Sequence, residues 1–94
     1  MPQLVKDAFA KIKSITGVTA IDNSADAIAV NGQPITFQCV DGNIWINPNA
    51  TAVANTTSLK LTAGMALDLV VPGNLSIISD VTTGHYQVIV WELG

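Results

Sequence analysis

The feature that most constrains this sequence is a series of short apolar runs after Gly17, separated at close and regular intervals by turn residues. Such runs are typical of strands in a sandwich or barrel, because glycine, proline and asparagine supply the backbone conformations that reverse the chain. We predict strands at 27–30, 35–40, 44–47, 58–62, 67–71, 75–79 and 86–92, with a further short one across 18–21. Residues 18–94 are therefore predicted to form one mainly β domain, an antiparallel β-sandwich or a jelly-roll-like barrel.

Two of the dividers predict the type of turn. Asn31-Gly32 and Asp41-Gly42 are pairs that two-residue hairpin turns favour, because both central positions of such a turn need a positive φ. The sequence therefore predicts tight reversals at these two places.

Residues 1–17 show a different pattern. Val5, Ala8, Phe9, Ile12 and Ile15 recur at spacings of three and four, which is typical of one apolar stripe on a helix. A proline near the start and a glycine at the end suit the two ends of such a helix. We predict one short amphipathic helix over 1–17, acting as an arm or as a contact between subunits.

Two of the predicted strands are apolar on both faces. If Ile44 and Ile46 point into the core, then Trp45 points outward, and the same alternation in the last strand turns Ile89 and Trp91 outward. Outward aromatic side chains are enriched at subunit interfaces. We predict a homo-oligomer interface; the alternative is a second layer of the same chain, such as the helix, that covers this face. The interface residues are Val5, Phe9, Ile12, Trp45, Ile89 and Trp91.

The composition favours association with another protein and argues against nucleic acid and membrane as partners. Of the 94 residues, 49% are hydrophobic and 12% are charged, which leaves a bare surface of the kind that another protein tends to cover. The chain has no arginine for phosphate or base contacts, no apolar run long enough for a membrane helix and no secretion signal, so we expect neither nucleic acid nor membrane as a partner. Lys6, Lys11 and Lys13 are candidates for partner attachment; they also fit a solvated helix face.

The sequence predicts no catalytic site, cofactor or metal. Cys39 lies in an apolar segment without a basic neighbour, His85 is the only histidine, and the acidic residues do not follow the spacing of a calcium loop. We therefore expect a protein that is not an enzyme. A surface glycan is an alternative partner, with Trp45 as the platform and Asn43, Asn47 and Asn49 as amide donors, although asparagine in turns more often caps the backbone.

Several segments resemble small virion proteins of tailed bacteriophages, namely capsid decoration proteins and head-fibre or tail modules. The resemblance spans about residues 27–94 and is carried by 43–48, by 58–64 with its Ala63-Gly64 turn, and by the strands at 67–69, 75–80 and 86–92. It implies a sandwich or jelly-roll unit, commonly a trimer, that attaches to a capsid or tail surface and is located in the virion. The alternative is a carbohydrate- or receptor-binding module.

Overall fold

In a computed structural model, the described residues, 11–55, 57–80 and 83–92, contain strands and no helix. The strands are β1 Lys11–Ile15, β2 Thr19–Ile21, β3 Asp26–Ala29, β4 Pro34–Asp41, β5 Asn43–Asn47, β6 Leu59–Thr62, β7 Ala66–Val70, β8 Asn74–Ser79 and β9 Gly84–Glu92. All the predicted strands are confirmed, with ends that differ by one or two residues. No helix in these ranges has the length and apolarity needed to cross a membrane.

The strands form two antiparallel sheets. Sheet A has the order β1-β9-β4-β7, with β2 paired to the start of β9, and sheet B has the order β3-β8-β5-β6. Consecutive strands from β2 onward lie in opposite sheets, except β5 and β6, which are neighbours in sheet B. The two sheets form a β-sandwich, as predicted.

The core lies between the sheets and is almost entirely apolar. Phe37 and Tyr86, on neighbouring strands of sheet A, stack with their ring centroids 5.3 Å apart. Ser79 is the buried polar residue among those described, and its hydroxyl donates to the carbonyl of Asn43. The other buried core residues are Ile21, Val30, Ile35, Cys39, Ile44, Ile46, Leu61, Val71, Leu75, Ile77 and Val88.

The helix prediction is wrong where it can be compared with the structure. Residues 11–15 form β1, whose side chains are all exposed and whose backbone pairs with β9. A β-bulge between Ile12 and Ser14 shifts the register, so that Ile12 is opposite Trp91 and Ile15 is opposite Ile89. The bulge therefore puts two residues three apart on one face of a strand and imitates the spacing of a helix. Residues 1–10 lie outside the described residues.

The turn at Asn31-Gly32 has the predicted backbone but not the expected hairpin. Both residues have positive φ, 50° and 77°, yet β3 and β4 lie in different sheets. The chain likewise crosses between sheets at Gly42, where φ is 77°. A Cβ on Gly42 would come within 3.0 Å of the Cα of Gly84, so this crossing also needs a glycine for space.

Candidate functional site

Three of the six predicted interface residues meet on the outer face of sheet A. Ile12 on β1 is opposite Trp91 on β9, and Ile89 lies two residues before Trp91 on the same face. Val88 is buried and Val90 packs against the core, so the alternation that the sequence predicted for β9 is confirmed.

The indole of Trp91 is fixed against the sheet by hydrogen bonds that span three strands. Trp91 Nε1 donates to Thr36 Oγ1 at 2.8 Å, and Thr36 Oγ1 donates to Asp68 Oδ1. Thr36 is opposite both Ile89 and Asp68 in the registers of β9 and β7, so the three polar groups lie on one face. Such a chain of bonds polarises its members and limits the rotation of the ring.

The structure adds two apolar residues that we had not predicted for this site. Ile15 on β1 is 53% exposed and Val70 on β7 is 63% exposed, both on the outer face of sheet A. Val70 could have been found, because the alternation that turns Leu67 and Leu69 inward turns Val70 outward with Asp68. We call the outer face of sheet A formed by Ile12, Ile15, Val70, Ile89 and Trp91 the open face, since no described residue lies over it.

Trp45 does not join the open face, because it is on the outer face of sheet B. Lys60 is opposite Trp45 on β6 and places its Nζ 5.4 Å from the centroid of the ring. A cation at this distance is attracted by the aromatic face. Trp45 is half-buried in this setting, and a glycan site on its ring stays a prediction.

The connection between β5 and β6 covers part of the outer face of sheet B. Ala52 is buried, and its backbone amide donates to Ser76 Oγ on β8 at 2.9 Å. Asn47 holds the same connection: its Oδ1 accepts the amides of Asn49 and Ala50, and its Nδ2 donates to the carbonyl of Thr57. The asparagines near Trp45 that could have served a sugar therefore include one that organises the backbone.

The predicted attachment lysines lie partly on the edge of sheet A. Lys11 and Lys13 are exposed on β1, and Lys11 is opposite Glu92. Lys13 is at the bulge, between the levels of Trp91 and Val90. Lys6, Val5 and Phe9 lie outside the described residues.

The core contains ionisable groups in an apolar setting. Burial raises the pKa of the Cys39 thiol, and the carboxylate of Asp41 adds to the rise. Burial also raises the pKa of Tyr86; the carboxylate of Asp26 acts in the same direction, and a hydrogen bond with the side chain of Thr19 opposes both. A thiol with a raised pKa is a poor nucleophile, because the thiolate is the reactive form.

The described ranges contain no group of three or more His, Cys, Asp or Glu side chains that could hold a metal ion. His85 Nδ1 lies 2.7 Å from Asp41 Oδ1 at the end of sheet A, an exposed pair of one imidazole and one carboxylate. A protein zinc site uses three or four such ligands. This pair is therefore a surface contact between β4 and β9.

An open cleft of about 440 Å³ lies at the β2–β3 end of the sandwich. Its two carboxylates already accept backbone hydrogen bonds: Asp22 Oδ1 from the amide of Ser24, and Asp26 Oδ1 from the amide of Ala27. Asp residues in turns commonly cap local amides in this way. The cleft is lined by Ala20, Ile21, Asp22, Ser24, Ala25, Asp26 and Thr83.

No protein-family model and no curated protein matches the sequence. The fold is similar to that of solved ethanolamine utilization proteins. A protein described as ethanolamine utilization protein Q of Salmonella typhimurium LT2 superposes with a TM-score of 0.60 at 12% identity, over 87% of this chain and 61% of its own. The EutQ protein of Clostridium difficile gives 0.55 at 10% identity, over 89% of this chain and 67% of its own. This chain thus spans less than two thirds of the Salmonella protein, and identities this low show a shared fold alone.

These comparisons overturn the resemblance to tailed-phage virion proteins. The similar structures are bacterial ethanolamine utilization proteins, so the expected attachment to a capsid or tail and the virion location are wrong. The resemblance depended on a succession of strands, a small turn and a closing aromatic strand. Many sandwiches share those features, because they follow from the sheet geometry and not from a particular function.

Proposed function

We propose that the chain is a non-catalytic β-sandwich module that works by associating with copies of itself, and that the open face is the contact surface. The observation that carries the proposal is the fixed indole of Trp91 among exposed isoleucine and valine side chains. A rigid aromatic anchor loses little conformational entropy on contact, and such anchors dominate the binding energy of interfaces. The crossings between the two sheets favour a jelly-roll-like winding for the subunit.

A second copy suits the open face better than a strongly charged partner does. The apolar residues on it extend from β1 to β7 across the whole sheet, with Lys13 at one edge and Asp68 at the other. A surface with one charge of each sign at opposite edges can complement itself, whereas a uniformly charged partner would meet repulsion at one edge. The expectation of a trimer came from the phage resemblance, and no feature of the open face supports it.

Multi-angle light scattering of the full chain at about 1–100 µM tests the proposal. We expect a mass above the 9.8 kDa of one chain, and a dissociation constant that rises about 30-fold or more in Trp91→Ala, the loss typical of a central aromatic anchor. Trp45→Ala is the matched control, because it removes the other half-buried tryptophan from the outer face of sheet B. It should leave the dissociation constant unchanged.

A wild-type monomer throughout this range would contradict the proposal, as would equal weakening by the two tryptophan variants. Circular dichroism should show that both variants remain folded. Fluorescence separates the two faces as well: in Trp45→Ala the remaining emission comes from Trp91, and it should shift to shorter wavelength as the concentration rises and water leaves the ring.

A further inference from the structure

The arrangement of side chains on the open face indicates how two copies would meet, an inference that depends on the proposed function. Two rows of residues run across the strands of sheet A. One row is Ile12, Trp91, Pro34 and Val70, and the next is Ile15, Ile89, Thr36 and Asp68. The first row is apolar from edge to edge, whereas the second changes from apolar on β1 to acidic on β7.

We propose that two copies pack face to face about a two-fold axis that runs parallel to the strands, above the β9–β4 boundary. This rotation reverses the order of the strands and keeps their direction, so that β1 of one copy lies over β7 of the other. Each apolar residue of the first row then meets another: Ile12 lies over Val70, and Trp91 lies over Pro34. A two-fold contact of this kind forms every pair twice.

The charges at the edges favour this axis over the one perpendicular to the strands. Lys13 lies at the bulge between the levels of Trp91 and Val90, and so one to two residue spacings, roughly 3–7 Å, from the level of Asp68, a distance that a lysine side chain can span. Reversal of the strand order brings Lys13 of each copy to the edge where Asp68 of the other lies. The perpendicular axis would instead place β1 over β1 and β7 over β7, which opposes lysine to lysine and aspartate to aspartate.

Lys11 and Glu92 do not distinguish the two axes. They are opposite each other in the register of β1 and β9, so their charges offset each other within one copy. Neither axis is therefore favoured by them. The pair that distinguishes the two axes is therefore Lys13 and Asp68. Their strands, β1 and β7, are the two edges of the order β1-β9-β4-β7 and lie about 14 Å apart.

Charge reversal in the full chain tests the axis. We expect Lys13→Asp and Asp68→Lys each to raise the dissociation constant roughly 10-fold, because each opposes like charges in both copies of the pair. The double variant that carries both changes restores opposite charges and should associate within about 3-fold of the wild type. An equimolar mixture of the two single variants should form mixed dimers, in which both pairs are again opposite in sign.

Asp68→Asn is the control for the hydrogen bond that Asp68 accepts from Thr36. The amide oxygen keeps that bond while the charge is lost, so this variant should weaken association less than Asp68→Lys does. The double variant lacks the same acceptor as Asp68→Lys, and the difference between these two therefore measures charge alone.

The outcomes separate the axis from the contact surface. A mass of about twice that of one chain, with recovery in the double variant, supports the two-fold arrangement. A dimer that depends on Trp91 but is indifferent to Asp68→Lys overturns the axis and keeps the open face as the contact. A mass of three chains or more overturns the two-fold arrangement in favour of a head-to-tail ring, and a monomer overturns both proposals.

Discussion

Sheet A and sheet B each carry a tryptophan on the outer face, but among the described residues a loop lies only over sheet B, where it covers part of that face. There, the β5–β6 connection buries Ala52, and Lys60 lies over Trp45. On sheet A, the indole of Trp91 donates a hydrogen bond to Thr36. The side chains of Ile12, Ile15 and Val70 are each about half exposed or more. The two outward tryptophans therefore differ in their surroundings: Lys60 lies over Trp45, whereas Trp91 lies among exposed apolar side chains.

The difference follows from the connections between strands. β5 and β6 are consecutive neighbours in sheet B, and the loop between them, residues 48–58, can return over the same sheet. From β2 onward, every strand of sheet A is joined to a strand of the opposite sheet, and such crossings run around the ends of the sandwich. These connections therefore place no described loop over the outer face of sheet A.

The largest expected effect comes from the core that both faces share. Phe37→Ala removes a fully buried ring that stacks on Tyr86, and we expect it to lower the free energy of unfolding by about 3–5 kcal/mol. In urea unfolding followed by tryptophan fluorescence, Trp45 and Trp91 should report one common transition. Leu59→Ala removes a side chain that is 51% exposed and should change stability by less than about 1 kcal/mol; equal losses would contradict this account of the core.

The β5–β6 connection that lies over sheet B can be destabilised without a change to sheet A. Asn47→Ala removes the side chain that accepts two backbone amides and donates to Thr57, so we expect a loss of about 1–2 kcal/mol. Hydrogen exchange should become faster at the amide of Ala52, and self-association should be unaffected. Asn49→Ala is the control, because Asn49 contributes its backbone amide to these bonds; if it speeds exchange equally, Asn47 is not what holds the loop.

The hydrogen-bonded chain on sheet A predicts effects that do not add. Thr36→Val removes the hydroxyl at its centre and should cost about 1–2 kcal/mol, and Trp91→Phe, which removes the indole N–H and leaves a smaller ring, about 0.5–1 kcal/mol. The double variant should lose less stability than the sum of the two single losses, since both changes break the same bond. Additive losses in chemical denaturation would show that the bond does not fix the ring.

The smallest effect concerns pH. Because the pKa of Tyr86 is raised in the folded chain, the folded state holds its proton longer than the unfolded state does, and stability should fall as the pH rises past about 10, the ordinary value for tyrosine. Cys39 acts in the same direction from about pH 8.5. Tyr86→Phe should flatten the upper part of this decline in urea midpoints measured from pH 8 to 11; an unchanged decline would exclude Tyr86 as its cause.

Alternation along the strands was the most informative part of the sequence. The pattern around Trp45, Ile89 and Trp91 placed all three outward, and the structure confirms it. Leu59 shows the limit: it alternates with Lys60 as a core residue would, yet it is exposed at the end of edge strand β6. A side chain that points toward the core is buried only if its position in the sheet places neighbours around it, and alternation does not report that position.

The spacing at Ile12 and Ile15 misled the prediction for a physical reason. Apolar residues three apart favour a helix, but one extra residue in a strand produces the same spacing on one face. Pairing with β9 decides between the two, because it satisfies the backbone of residues 11–15 through a strand that lies more than seventy residues away in the sequence. No local pattern contains that partner.

The sequence by itself determined the β architecture, the number and phase of the strands from residue 18 onward, and which large side chains turn away from the core. These properties depend on neighbours one or two residues apart. Only the tertiary structure decided that Lys60 lies over Trp45 and that Trp91 joins Ile12, Ile15 and Val70 in one apolar surface. Such surfaces arise from strand order and connection, which bring together residues that are distant in the chain.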